Sequence, residues 1–142
     1  MRYVRSLSGV DYYDDSKATN VGAAVAALDG LSDRDGKVVL ILGGRHKGGE
    51  YTPLAERMRT RARAALLIGE AAPLIAAALE GSRYPVEPVA SIELAVARAH
   101  ALAQPGDVVL LAPACSSFDM FRSYGHRGDA FQAAVLALGG AG

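Results

Sequence analysis

Apolar and polar positions run in blocks along the chain, and the period changes from block to block. Tyr3-Val4-Arg5-Ser6-Leu7 alternates in steps of two, and Ser8-Gly9 turns it into Val10-Asp11-Tyr12-Tyr13. That pattern predicts an N-terminal β-hairpin. Val21, Val25 and Leu28 then recur at helical spacing, behind Thr19 or Asn20 as N-cap and ahead of Gly30 as terminator. Lys37-Val38-Val39-Leu40-Ile41-Leu42 and Asp107-Val108-Val109-Leu110-Leu111 are almost wholly apolar, as strands buried on both faces are. Between them lie a helix opened by Thr52-Pro53 with Leu54 and Met58 inward, a strand over 64–68 and a helix over 71–79. A short strand over 86–89 belongs near an edge because Pro88 cannot donate, and Ser91 caps a helix carrying Ile92, Val96 and Ala99. A last helix is expected from about Gly128, through Phe131 and Val135.

Strand and helix alternate throughout. The expected fold class is α/β, a Rossmann-like three-layer domain with a mostly parallel sheet and right-handed crossovers. Residues 1–142 suffice for one domain with one real core. Ligands of such sheets sit beyond the carboxyl ends of the strands. Polar loops leave those ends at 14–20, 43–49 and 112–119.

Composition narrows the classes. Hydrophobic residues make up 51% and charged ones 21%, with mean hydropathy +0.16. That describes a folded globular chain and not a disordered one. Fifteen basic residues balance fifteen acidic ones, so nothing global points to nucleic acid or an anionic membrane. Cys115 is the single cysteine, which precludes an internal disulfide framework and suits a reducing cytoplasm. No apolar run has transmembrane length, and Met1-Arg2-Tyr3 does not open like a signal peptide.

The loop Asp14-Asp15-Ser16-Lys17-Ala18-Thr19-Asn20 joins a strand to a helix, where N–H groups and the helix dipole favour an anion. The loop 43–49 holds four glycines around Arg45, His46 and Lys47, yet it is no nucleotide P-loop. Counted from Gly43, the sixth residue is Gly48 but Gly49 follows; counted from Gly44, it is Gly49 but Glu50 follows. GxGxxG is also missing, so a self-sufficient ATPase or dehydrogenase is not expected. Lys47, between glycines at the end of a buried strand, suits a carboxylate or phosphate; the alternative is a solvated loop lysine. His46, His100 and His126 do not share a metal-ligand spacing, so no metal held by this chain alone is expected. Cys115 has no histidine near it in sequence and reads better as packing than as a nucleophile. Ser116 and Ser117 suit either a substrate carboxylate at a helix start or an ordinary cap.

With these loops together the chain resembles the C-terminal domain of the Mur ligases, and within them the branch that adds D-glutamate. The matching residues are Asp15-Ser16-Lys17-Ala18-Thr19-Asn20, Leu42-Gly43-Gly44 with Lys47, Pro105-Gly106-Asp107, Pro113-Ala114-Cys115 with Ser117 and Asp119, and Arg127-Gly128 with Phe131. They span nearly the whole chain, in order. The resemblance implies the third of three domains, Rossmann-like, the one that brings the incoming amino acid. It implies a reaction in which ATP, with Mg2+, activates the carboxylate of UDP-N-acetylmuramoyl-L-alanine as an acyl phosphate, which the amine of D-glutamate attacks. It further implies that Thr19 and Lys47 hold one carboxylate of D-glutamate, and Ser117 with the backbone at Phe118 and Tyr124 the other. Asp15, Lys17 and Asn20 fall on the nucleotide side, and no catalytic residue is expected within this domain alone. Phe118 stands where leucine is common and Tyr124 where phenylalanine is, and both contacts run largely through backbone or ring packing. The UDP-binding and ATP-binding domains have no counterpart in this chain, which alone is expected to be inactive. A monomeric, cytoplasmic bacterial enzyme with no nucleic-acid or membrane partner is the implied setting. The rivals are a folylpolyglutamate-synthetase-like glutamate ligase domain and a small-molecule-binding module without catalysis; the Asp15–Asn20 loop argues against the first.

Overall fold

Ser8 and Gly9 both take positive φ, 55° and 79°, and so close β1 (Arg2–Leu7) tightly onto β2 (Val10–Asp14). This is the hairpin that the alternation predicts. In the computed structural model, which describes residues 1–46, 48–117 and 121–139, the chain continues as a regular alternation. It runs α1 (Val21–Asp29), β3 (Val38–Gly43), α2 (Thr52–Arg61), β4 (Ala62–Ile68), α3 (Ala72–Ala78), β5 (Val86–Pro88), α4 (Ile92–Leu102), β6 (Val108–Leu111) and α5 (Tyr124–Leu136). One sheet of six strands has the order β1-β2-β6-β3-β4-β5, with only β1 antiparallel. Pro88 lies on the edge strand, as its missing N–H requires.

The two apolar runs form neighbouring central strands whose side chains alternate between two buried layers. Val38, Leu40, Leu42, Val108 and Leu110 face α1, α2 and α3 through Leu28, Leu54, Met58 and Ile75. Val39, Ile41, Val109 and Leu111 face α4 and α5 through Ile92, Val96, Phe131 and Val135. The layers are therefore α/β/α, as expected.

Two helices differ from the sequence expectation. The buried stripe of α1 is Ala24, Ala27 and Leu28, with Val21 and Val25 only partly covered. The closest neighbour of α1 is α2, and the larger valines sit at the flanks of the buried stripe. The last helix starts at Tyr124 and not near Gly128, because the Ser123 hydroxyl accepts the His126 N–H and caps it. The helix therefore begins four residues nearer to the loop after β6 than the sequence pattern suggests.

At the amino ends of the strands, Asp107 is 2% exposed and ties three elements together. It accepts hydrogen bonds from the Lys37 N–H (2.9 Å), the Gln104 N–H (2.9 Å) and the Arg63 guanidinium (2.9 Å). Burial pushes its pKa up, but Arg63 and the two N–H groups outweigh that and hold the carboxyl below its ordinary range. A carboxylate depressed in the folded state contributes stability above its unfolded pKa, and that contribution is lost as pH falls through the lower folded value. The urea midpoint of the chain should therefore fall more steeply between pH 5 and about pH 3 than that of Asp107→Asn. Parallel acid profiles for the two proteins would show that Asp107 does not carry the acid sensitivity.

Candidate functional site

The carboxyl ends of β2, β6, β3 and β4 lie level, since Asp14 pairs with Leu111, Ile41 with Leu111 and Gly43 with Ile68. The three predicted loops leave from this one edge and are laced together. The Gly43 N–H donates to the Pro113 carbonyl (2.9 Å), and the Ala114 N–H to the Ala18 carbonyl (2.8 Å). Arg45 and Ser116 exchange a pair of backbone bonds at 3.0 and 3.2 Å. The middle loop, 112–117, therefore touches both others.

Close backbone approach explains the glycines at this edge. A Cβ on Gly43 (φ 127°) would lie 2.0 Å from the Ile68 carbonyl oxygen, and one on Gly44 (φ 130°) 2.2 Å from that of Ser116. No side chain fits either position. Ala114 also has positive φ, 61°, where an alanine is strained.

Beneath the loops lies Arg127, 0% exposed. One guanidinium nitrogen donates to the carbonyls of Ser16 (3.2 Å) and Cys115 (3.0 Å), so a buried cation holds the first loop against the third. Asp14 works from the other side. Its carboxylate accepts the Ser16 N–H (2.9 Å) and the Gln132 amide (2.7 Å), which fixes the turn that presents Asp15 and Lys17. Gly128 of α5 packs on both, since a Cβ there would meet the Ser16 hydroxyl at 2.5 Å.

These contacts leave two hollows at the edge. One, of about 320 Å3, is lined by Asp14, Asp15, Lys17, Tyr124, Gly125 and Asp129 among others. The second, of about 200 Å3, is lined by Asn20, Val21, Gly49, Tyr51 and Ala114. A larger hollow between α2 and the segment before β5 opens at the opposite end of the strands, with Arg59, Arg83, Glu56 and Glu80 around it. Its mixed charges gather no converging set of donors.

The predicted residues distribute over this edge as follows. Asp15, Lys17 and Tyr124 line the first hollow together, with Lys17 and Tyr124 exposed. Asn20 lines the second, and its side-chain oxygen accepts the Ala23 N–H (2.8 Å) as the cap of α1. Thr19 follows directly on the Ala18 carbonyl that binds the third loop, and Ser117 is 2% exposed in that loop. Lys47, Phe118 and Asp119 lie outside the described residues. Among the described residues, no three His, Cys, Asp or Glu side chains gather as metal ligands. No helix among them is long and apolar enough to cross a membrane.

Sequence reasoning gave no role to Arg127, Asp14, Gln132 or Tyr51. For Arg127 a signal existed. It stands four residues before Phe131 and eight before Val135, on the buried face of the helix. A cation on an apolar stripe must find partners inside. The contact of Asp14 with Gln132 joins positions 118 residues apart, and no local pattern marks it.

Comparison with known proteins places this arrangement. Residues 1–115 match the family model described as "Mur ligase, glutamate ligase domain". The chain is 54% identical over 132 residues to the UDP-N-acetylmuramoylalanine--D-glutamate ligase of Burkholderia mallei (strain SAVP1), covering 93% of this chain and 26% of that protein. Among solved structures, a murein peptide ligase from Psychrobacter arcticus 273-4 superposes with TM-score 0.65 at 15% identity, over 99% of this chain and 30% of that one. A MurF ligase from Thermotoga maritima in complex with ADP gives 0.59 at 20% identity, over 93% of this chain and 29% of that one. At these identities the structures share the fold. The chain spans about a quarter of the length of the curated relatives it matches. Its sequence and its α/β/α architecture agree, and the chain belongs to the Mur ligase family as a glutamate ligase domain.

Proposed function

We propose that this chain is the amino-acid-binding domain of a longer ATP-dependent ligase that joins D-glutamate to UDP-N-acetylmuramoyl-L-alanine in peptidoglycan precursor synthesis. The observation that carries this reading is the 54% identity, over 93% of the chain, to ligases named for that reaction. The geometry supports it. D-Glutamate presents two carboxylates and one amine, and the loops at the strand ends offer hydroxyls, backbone N–H groups and cations on several sides. Thr19 and Lys47 would hold one carboxylate, and Ser117 with the backbone at Phe118 and Tyr124 the other. The amine is then left free to face an acyl phosphate brought by the rest of the ligase. Orientation of this kind is the contribution asked of the domain: it places the nucleophile and moves no proton itself.

Asp15, Lys17 and Asn20 are assigned to the nucleotide side, facing ATP across a domain cleft. The described residues offer no metal-ligand set, and loop 43–49 has no P-loop register, so ATP phosphates and Mg2+ would be held by the missing part of the ligase. The zero net charge gives no pull toward nucleic acid or an anionic membrane, and the proposed setting is a cytoplasmic monomer whose partners are small molecules and its own other domains.

Lys47 provides the test. A hybrid in which this chain replaces the matching quarter of the Burkholderia mallei ligase can be assayed with each substrate varied in turn. Removing a charge-assisted hydrogen bond contributes on the order of 1.5–3 kcal/mol. Lys47→Ala should therefore raise the KM for D-glutamate roughly ten- to a hundredfold and leave that for ATP little changed. Lys47→Arg should rescue only in part, because a planar fork does not replace a compact ammonium. A defect confined to ATP would move Lys47 to the phosphate side, and no defect would return it to solvent.

A further inference from the structure

Tyr51 stands at the start of α2 and is 6% exposed, with its hydroxyl turned into the protein. That hydroxyl lies 2.8 Å from His46 Nδ1 and 3.3 Å from Cys115 Sγ. The His46 ring also leans on the Tyr51 ring, with centroids 5.6 Å apart. One phenol therefore spans two loops: His46 belongs to the glycine loop after β3, and Cys115 to the loop after β6. The backbone exchange between Arg45 and Ser116 joins the same loops one residue away on each side. Burial, together with the Cys115 thiol, pushes the phenol pKa far above its ordinary value, so the group stays a neutral donor and acceptor. The ring also forms a wall of the 200 Å3 hollow, opposite Asn20 and Ala114.

The residues on either side give this bridge a function. His46 is followed by Lys47, and Cys115 precedes Ser117 by two positions. We infer that Tyr51 is a positioning residue that sets the spacing between the two carboxylate-holding loops, and so the length of the amino diacid they accept. The inference rests on the D-glutamate reading above and adds to it a determinant of chain length. An aromatic ring alone would fill the space; the hydroxyl ties His46 to Cys115. Without it the loops keep their backbone pair but lose the side-chain strut nearest the hollow.

The hybrid ligase tests this with Tyr51→Phe, which keeps the ring and removes only the hydroxyl. Loss of two weak neutral hydrogen bonds should raise the KM for D-glutamate about three- to tenfold. The KM for ATP and the kcat at saturation should barely move. Preference for D-glutamate over D-aspartate, one methylene shorter, should narrow by a similar factor. His46→Phe should produce part of the same defect, and the double variant should be no worse than Tyr51→Phe, because the bond that His46→Phe removes is one of the two already lost in Tyr51→Phe. An unchanged KM and preference in Tyr51→Phe would overturn the inference while leaving the ligase reading standing. So would a defect equal for ATP and D-glutamate, or additive effects in the double variant. A hybrid with no D-glutamate-dependent turnover before any substitution would overturn the ligase reading and this inference with it.

Discussion

Gly44→Ala should lower the melting temperature of the chain by roughly 6–20 °C, a shift read directly by circular dichroism. The methyl group would lie 2.2 Å from the Ser116 carbonyl oxygen, 3.1 Å from the Arg127 guanidinium and 3.3 Å from Cys115 Cβ. Two of these neighbours are fixed: Ser116 O accepts the Arg45 N–H, and Arg127 is buried. The residue's φ of 130° adds strain that any L side chain carries. Together, strain and overpacking cost about 2–6 kcal/mol, a large share of the 5–15 kcal/mol that holds a domain together. A shift under about 2 °C would show that loop 112–117 moves aside at little cost. The position can be relieved only by parting the two loops, so the damage falls on the candidate site first.

Arg127→Ala is the second large effect. Two hydrogen bonds from a charged donor are lost, each worth on the order of 1.5–3 kcal/mol, and the carbonyls of Ser16 and Cys115 lose their shared partner. A destabilisation of about 3–6 kcal/mol is expected, read as a drop in the urea midpoint. Arg127→Met fills most of the volume without a charge and should be milder than alanine, since an apolar replacement avoids the desolvation of a buried cation. Arg127→Lys should not rescue fully, because one ammonium cannot reproduce a planar fork reaching two loops. Amide shifts in the Met variant should change most at Ser16 and Cys115. Wild-type stability in the Met and Lys variants, with a loss in alanine alone, would mean that Arg127 only fills space.

The sheet was legible because its signals are local. Val38–Leu42 and Val108–Leu111 are continuous apolar runs, and Ser8-Gly9 is a turn pair; each declares its element without reference to anything distant. The α5 start was not legible in the same way. Glycines at 125 and 128 lower helix propensity, and a Ser123 cap with tertiary packing of Gly128 against Ser16 overrides them. In α1 the buried stripe is Ala24, Ala27 and Leu28, so only Leu28 of the expected Val21, Val25 and Leu28 is fully covered. At the site, the loops were visible from composition and strand-helix order. The residues that hold them in place, Asp14, Tyr51 and Arg127, each reach a partner between 12 and 118 residues away, which no periodicity encodes.

The position of β6 between β2 and β3 has a consequence for how the chain is made. The strand that comes last in the order of this sheet's strands along the chain is inserted into the middle of the sheet. Until Val108–Leu111 is synthesised, β2 and β3 each present an unpaired edge, and Tyr12, Leu40 and Ile41 have a neighbour strand on one side only. Pairings between strands this far apart in sequence are slow to form, and open apolar edges invite association with other chains. The same final stretch carries Cys115, Ser117 and Arg127. Closure of the sheet and assembly of the loops at the strand ends therefore both wait on this stretch. A nascent chain that has not reached residue 111 has neither, and it is in that interval that chaperone protection matters most.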